Sequence, residues 1–324
     1  MNEIREKSEA AVREAAKVII GKEAQIRLLL AAVYAGGHIL LDDLPGAGKT
    51  TLVKVLSRVL GCAYGRVQFT PDLLPSDVTG MSVFDQKLGD FRVKDGPIMT
   101  HLFLADEINR AIPRTQSALL EAMEEGQVTI DGEARVLPRP FFVMATQNPV
   151  ETESTFRLPA AQMDRFLVRL SLGYPTAGEE VVMLRTVGDG TELEGLDAVL
   201  DAEAITGIQR SLDAVRITDA VLGYLVALVH ATRESPDLAL PASPRASRAL
   251  YRLGKASAAM DGRDYVTPDD VKSMAPYVLA HRVALTGEAR LAGQTPESFV
   301  ADLLARVPVP GGEEDVLGLA PDAS

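Results

Sequence analysis

The chain lacks tryptophan and has one cysteine and four histidines among 324 residues. A lone Cys62 rules out an internal disulfide and a cysteine-ligated metal cluster, and the scattered histidines form no metal-ligand spacing. Long apolar runs are missing as well. The stretch from Ala220 to His230 is too short and too interrupted to span a bilayer, so no direct membrane insertion is expected. The opening residues MNEIREKSEAAVREAAKVII have no uninterrupted apolar core, so they do not read as a signal peptide. These absences predict a soluble protein of a reducing compartment, most simply cytoplasmic. Positive charge is in deficit. The net charge of -12 and the want of a basic stripe argue against nucleic acid as a partner.

What is present is ordinary in bulk, with 47% hydrophobic and 24% charged residues, and long enough for two domains. Helical spacing runs over 6–20, is broken by Gly21-Lys22, and resumes after it to Tyr34. His38–Leu41, Val67–Thr70, Leu102–Ala105, Phe141–Ala145 and Val168–Leu172 read as buried strands, with a helix over Lys49–Leu60 and another over Thr115–Glu125 stopped by Gly126. Asp131-Gly132 between two short β-rich runs marks a hairpin. After Tyr174-Pro175 strand signals vanish, and 178–187, 202–214, 218–233, 244–260 and 268–284 all read as helices. The reading is therefore an α/β core over 1–175, a smaller all-α domain over 176–306, and a tail over 307–324 whose Pro, Gly and acid content predicts disorder.

Residues 43–50 read DLPGAGKT, between a strand and a helix. Glycines there let backbone N–H groups face an anion, and the helix N-terminus adds its positive dipole end. Lys49 would reach the β- and γ-phosphates and Thr50 would hold Mg²⁺, with Pro45, Gly46, Ala47, Gly48 and Thr51 completing the set that contacts the nucleotide. Asp43 stands where the loop pattern has its first glycine.

Residues 103–111 read FLADEINRA, an apolar strand running into two adjacent carboxylates. Such a pair is costly unless a cation meets it. Beside a phosphate loop, Asp106 fits a Mg²⁺ ligand and Glu107 the base that polarises the attacking water. Asn148, at the tip of FVMATQN, either bonds that water or opens the turn before Pro149. Arg165, near the end of a short helix, is either a helix-end or Asp164 partner or an arginine finger for a neighbouring subunit. Arg245 lies in the first turn of a helix capped by Ser243 and Pro244, where a cation faces the wrong end of the dipole and calls for an anion. Arg248 shares its face.

The blocks IIGKEAQIRLLLAAVYAGGHILLDDLPGAGKT, QFTPDLLPSDVTG, HLFLADEINRAIPRTQSALLEAMEEGQVTIDGE, FFVMATQNPVE, LPAAQMDRFLVRLSLGYP and ASPRAS, over about residues 17–285, resemble the MoxR family of AAA+ ATPases. The resemblance implies an AAA+ P-loop core with a parallel sheet, followed by an all-α lid. It implies ATP and Mg²⁺ as cofactors, Lys49, Thr50, Asp106 and Glu107 as the hydrolytic core, and Asn148 as the first sensor. Arg165 becomes the finger, Arg245 the second sensor, and Ile19, Ile20 and Gly21 neighbours of the adenine. Residues 78–97 resemble a family insert that faces a pore or client. Arg157 stands where many relatives have proline.

The family implies a homo-oligomer, usually a hexameric ring, remodelling a protein client, often with a partner carrying a von Willebrand factor A domain. The function expected is Mg²⁺-dependent ATP hydrolysis coupled to chaperone-like remodelling or maturation of a client. The alternatives are the ATPase subunit of a metal chelatase, a nucleic-acid motor, or a nucleotide-binding scaffold without turnover.

Overall fold

The computed structural model describes residues 1–43, 46–87, 89–148, 156–186 and 193–310. Two helices lead in, α1 (Asn2–Ala16) and α2 (Glu23–Tyr34). The first starts and ends earlier than its charge pattern predicts, because Ile4, Ala11 and Ala15 form the buried stripe and residues 17–21 turn. The second is buried from Leu28 to Tyr34. Then follow β1 (Ile39–Asp42), α3 (Lys49–Val59), β2 (Tyr64–Gln68), α4 (Pro75–Thr79), β3 (Gly80–Asp85), β4 (Asp90–Asp95) and β5 (Leu102–Asp106). The first region closes with α5 (Pro113–Glu125), β6 (Gln127–Ile130), β7 (Glu133–Val136), β8 (Phe142–Gln147), α6 (Ala160–Met163) and β9 (Val168–Leu170).

Five strands make one parallel sheet in the order β2-β5-β8-β1-β9. β5 is buried along its whole length, which is why it reads as an unbroken apolar run. Alternate residues feed different layers. Ile39, Leu41, Leu102 and Leu104 face the first three helices, while Leu40, Phe103 and Ala105 face α5 and the β6–β7 hairpin. Gln68 pairs with Asp106, and Asp42 with Gln147, so the polar strand ends share the carboxyl edge where α/β sheets bind ligands. β2 begins three residues before the expected Val67, because Tyr64, Gly65 and Arg66 already pair with Leu102, Phe103 and Leu104. Two antiparallel hairpins stand off the sheet, β3–β4 and β6–β7. In the second, Asp131 and Gly132 take φ of 50° and 85°, the left-handed pair a tight hairpin turn needs.

Beyond β9 come α7 (Ala177–Thr186), α8 (Ala202–Ser211), α9 (Asp219–Glu234), β10 (Leu238–Leu240), α10 (Pro244–Met260), α11 (Pro268–Leu279), β11 (Ala284–Leu285), α12 (Gly287–Leu291) and α13 (Pro296–Arg306). Strand structure does not vanish here. β10 and β11 pair, and α11 stops at Leu279 rather than 284. Strands of two and three residues are too short for any periodicity to reveal. Ser243 and Thr267 cap α10 and α11 through their side chains, each with proline at the first helical position. Of the expected tail, residues 311–324 lie outside the described residues.

Candidate nucleotide site

The loop after β1 closes on the first turn of α3. Gly46 and Gly48 have φ of +82° and +78°, and a Cβ on either would meet nothing within 4 Å. Backbone conformation, not crowding, therefore requires glycine at both. Gly48 is the N-cap and offers no side chain, so the first-turn N–H groups of α3 are left to a ligand. The Lys49 ammonium donates to the Asp43 carbonyl at 2.6 Å. Gly46, Ala47, Gly48, Lys49, Thr50 and Thr51 border an open cleft of about 470 Å³ whose far wall is Arg66, Gln68, Asp106, Glu107 and Asn148. Pro45 lies outside the described residues. Ile19, Ile20 and Gly21 do not line this cleft. Ile19 packs on the larger core cluster, and Gly21 lies against the Glu179 carboxyl of α7.

Cations do meet the two carboxylates, and they come from within the chain. Asp106 Oδ2 accepts from Arg66 Nη2 at 2.8 Å and Nε at 3.2 Å, which holds the Arg66 guanidinium above its ordinary pKa. Glu107 Oε2 pairs with Arg110 Nη1 at 2.9 Å. Between the acids stands the buried Thr146 hydroxyl, which donates to Asp106 Oδ1 at 2.7 Å and accepts the Glu107 N–H at 2.8 Å. Glu107 sits at φ 55°, ψ 49°, a left-handed conformation costing about 1–3 kcal/mol in a non-glycine residue. The Thr146 bond and the Arg110 N–H bonded to the Glu107 carbonyl hold it there. Asn148 is buried beside them, and its carbonyl accepts from Asn109 Nδ2 at 3.4 Å.

Arg66, Arg110 and Thr146 were not read as functional from the sequence. A signal for Arg66 existed, since it lies two residues before Gln68 and so shares the strand face beside Asp106. Asp43 has a definite task. Its buried carboxylate accepts from the Ser171 hydroxyl, from Leu172 N at 2.8 Å and from Gly173 N at 3.0 Å. It therefore clamps the segment leaving β9 to the root of the phosphate loop, a job no glycine could do.

Arg165 and Arg245 are elsewhere. They line a second cavity, of about 210 Å³, with Glu124, Arg248, Arg252 and Arg282. Arg165 does not pair with Asp164. It reaches Glu124 Oε2 at 3.2 Å and donates to the Leu120 carbonyl, while Asp164 is paired with Arg282 at 2.8 Å. Arg245 reaches the other oxygen of Glu124. That carboxylate is the anion which the helix-start cation called for. Burial and the neighbouring Arg248 together lower the pKa of Arg252.

A family model described as "ATPase family associated with various cellular activities (AAA)" matches residues 38–168, and one for the AAA lid domain matches 230–303. Phosphate loop, paired acids, five-stranded parallel sheet and following helical lid thus define an AAA+ ATPase. Chaperone MoxR1 of Mycobacterium tuberculosis is 37% identical over 311 residues, covering 93% of this chain and 82% of that one. The uncharacterized protein YeaC of Bacillus subtilis is 48% identical over 300 residues, covering 93% of this chain and 94% of that one. The crystal structure of a provisionally assigned ATPase from Cytophaga hutchinsonii superimposes with a TM-score of 0.89 at 37% identity, over 95% of this chain and 96% of that one. The chain belongs to the MoxR family of AAA+ ATPases. Among the described residues, no helix is long and apolar enough to cross a membrane.

Proposed function

We propose that the protein hydrolyses ATP with Mg²⁺ at a site shared between copies, and spends the cycle on chaperone-like remodelling of a client protein. The observation that carries this reading is a separation. The cleft holding Lys49, Asp106 and Glu107 does not include Arg165 or Arg245, which the same chain gathers in another cavity. Two arginines converging on one carboxylate suit an anion supplied from outside the subunit.

The residues fit the absent groups. The uncapped start of α3, with Lys49, suits a triphosphate, and the Thr50 hydroxyl and Asp106 carboxylate, bordering one cleft, are the hard oxygen donors that a divalent cation takes. Thr50 and Asp106 would hold Mg²⁺, which neutralises charge on the phosphates when bound. Glu107 takes the proton of the attacking water, Asn148 orients that water, and Arg165 and Arg245 of an adjoining copy stabilise the charge that grows on the transferred phosphoryl group.

A ring, a cytoplasmic location and a von Willebrand factor A domain partner belong to the same proposal, supported by family membership. Acidic charge favours a protein client over nucleic acid. The test is turnover per subunit against protein concentration with Mg²⁺ present, followed by mixing Glu107→Gln with Arg165→Ala chains. Specific activity that rises with concentration, and recovers on mixing, supports the shared site. Arg165→Ala chains that turn over at the parental rate overturn it.

A further inference from the structure

One carboxylate ties together the two regions that carry the converging arginines. Asp164 directly precedes Arg165 and caps α6. Its Oδ1 accepts from Arg282 Nε at 2.8 Å, and its Oδ2 accepts from the Ser243 hydroxyl at 2.7 Å. Ser243 is the N-cap of α10, and its oxygen also accepts the N–H of Arg245 at 3.1 Å. Arg282, beyond the end of α11, is almost wholly buried. Its Nη2 donates to the carbonyls of Asp164 at 3.2 Å and Phe166 at 2.5 Å, and its Nη1 to those of Leu167 at 3.1 Å and Val278 at 2.6 Å. With Nε on Asp164, all five guanidinium N–H groups have acceptors. Burial pulls the Arg282 pKa down to about 10, against the opposing pull of Asp164.

The consequence is geometric. A side chain of the second region fixes the backbone on both sides of Arg165. The same aspartate fixes the helix start that carries Arg245. The two guanidiniums then meet the two oxygens of Glu124, one on each.

We infer that Asp164, Arg282 and Ser243 are positioning residues that join the Arg165 segment and the Arg245 helix into one rigid unit, which presents both cations together to a single phosphate of a nucleotide held by an adjoining copy. This rests on the roles proposed for Arg165 and Arg245. Glu124 marks the spacing, because a carboxylate and a phosphate offer pairs of oxygens at similar separation. A buried ion pair adds little net stability over apolar packing, whereas a saturated one fixes orientation. Misplacing a charge-stabilising group by about 1 Å is enough to cost up to a hundredfold in rate.

Ser243→Ala cuts the link to α10 and leaves the Asp164–Arg282 pair in place, so no buried charge is stranded. We expect its kcat to fall about tenfold in the assembled protein, with unchanged nucleotide affinity of the unassembled chain. Ser243→Thr keeps the hydroxyl and should keep the rate. Asp164→Asn should fall further. In a chain already carrying Arg165→Ala and Arg245→Ala, Ser243→Ala should remove nothing more from the residual turnover, since no cation is left to position. Parental kcat in Ser243→Ala, or an equal loss in the double-alanine chain, overturns the inference. Arg165→Ala separates the two levels. If it keeps the parental rate, the shared-site reading fails and the inference falls with it; if it loses the rate while Ser243→Ala does not, only the junction fails.

Discussion

The cleft around Lys49 takes its groups from strand ends of one sheet and from the loop beside them. The cavity around Glu124 gathers its groups from α5, the segment after α6, the first turns of α10 and the turn beyond α11. In the cleft, neighbours in the chain are neighbours in space, as with Asp106-Glu107 or Gly48-Lys49-Thr50. In the cavity, Asp164 meets Arg282 across 118 positions and Arg245 meets Glu124 across 121. The cleft stays open, with polar groups aimed at a ligand. The cavity rests on a buried, saturated guanidinium. A change in the first should therefore alter chemistry and spare the fold, whereas removal of the buried guanidinium beneath the second should cost stability as well.

Glu107→Gln tests the first half of that contrast and carries the largest effect. Turnover should drop about 10²–10⁴-fold, the usual contribution of a general base. Nucleotide binding, read by titration, should persist, and so should the unfolding midpoint. A parental rate would remove Glu107 from the proton transfer. Arg282→Ala tests the second half. It strands Asp164 and frees several buried carbonyls, so stability should fall by about 3–5 kcal/mol in denaturant titration. A loss under about 1 kcal/mol would mean that solvent reaches the junction.

This contrast also explains what was legible in the sequence. The phosphate loop, the acids and the buried strands are local patterns, so spacing alone exposed them, whereas the parallel pairing of those strands came only with the family resemblance. The hairpin at Asp131-Gly132 and the caps at Ser243 and Thr267 were equally plain, being set by one or two residues. Thr146, Glu124 and Arg282 gave no local sign, because their partners are distant in sequence, and Arg66 gave only its place two residues before Gln68 on one strand face. Asp43 read as a departure from a glycine pattern only because Ser171, Leu172 and Gly173 lie more than a hundred residues away. Of the alternatives for Arg165, the pairing with its neighbour Asp164 is not formed, for the same reason. A stronger, buried partner, Arg282, arrives from just beyond α11.

Acid should strain the boundary between the two regions. His38 lies at the root of β1 and also lines the arginine cavity. Its ring nitrogens face the Met123 carbonyl and the Val143 N–H, each at 3.0 Å, an arrangement that suits the neutral imidazole. Burial lowers its pKa from 6.5 to about 4. The unfolded chain then binds the proton more readily between those values. The stabilisation is complete above about pH 6.5 and is lost as pH falls towards 4. Taking the protein from pH 7 to pH 5 should cost about 2 kcal/mol from His38 alone, read as a shift in the urea midpoint. His281 adds in the same direction, since burial and Arg282 push it down as well. His38→Asn should flatten the slope. An unchanged slope would place the acid-sensitive group elsewhere.

The smallest effect on stability belongs to Glu124, and it is the sharpest test of the comparison. Its carboxylate holds both Arg165 and Arg245, yet the pairs are solvated, with side-chain exposures of 46% for Glu124, 31% for Arg165 and 42% for Arg245. Exposed pairs contribute about 0–1 kcal/mol each and are screened by salt. Glu124→Ala should therefore move the unfolding midpoint by no more than about 1 kcal/mol, with less change still at high salt. Were the loss about 3 kcal/mol or more, the arginines would be fixed by Glu124 rather than by the junction beneath them. Turnover adds a second reading. If Asp164 and Arg282 set the geometry, freeing the guanidiniums from Glu124 should leave the rate of the assembled protein at or above the parental value. A fall as deep as that of Arg165→Ala would make Glu124 part of the machinery, and the cavity would then resemble the cleft, with its order imposed by the charged groups that line it.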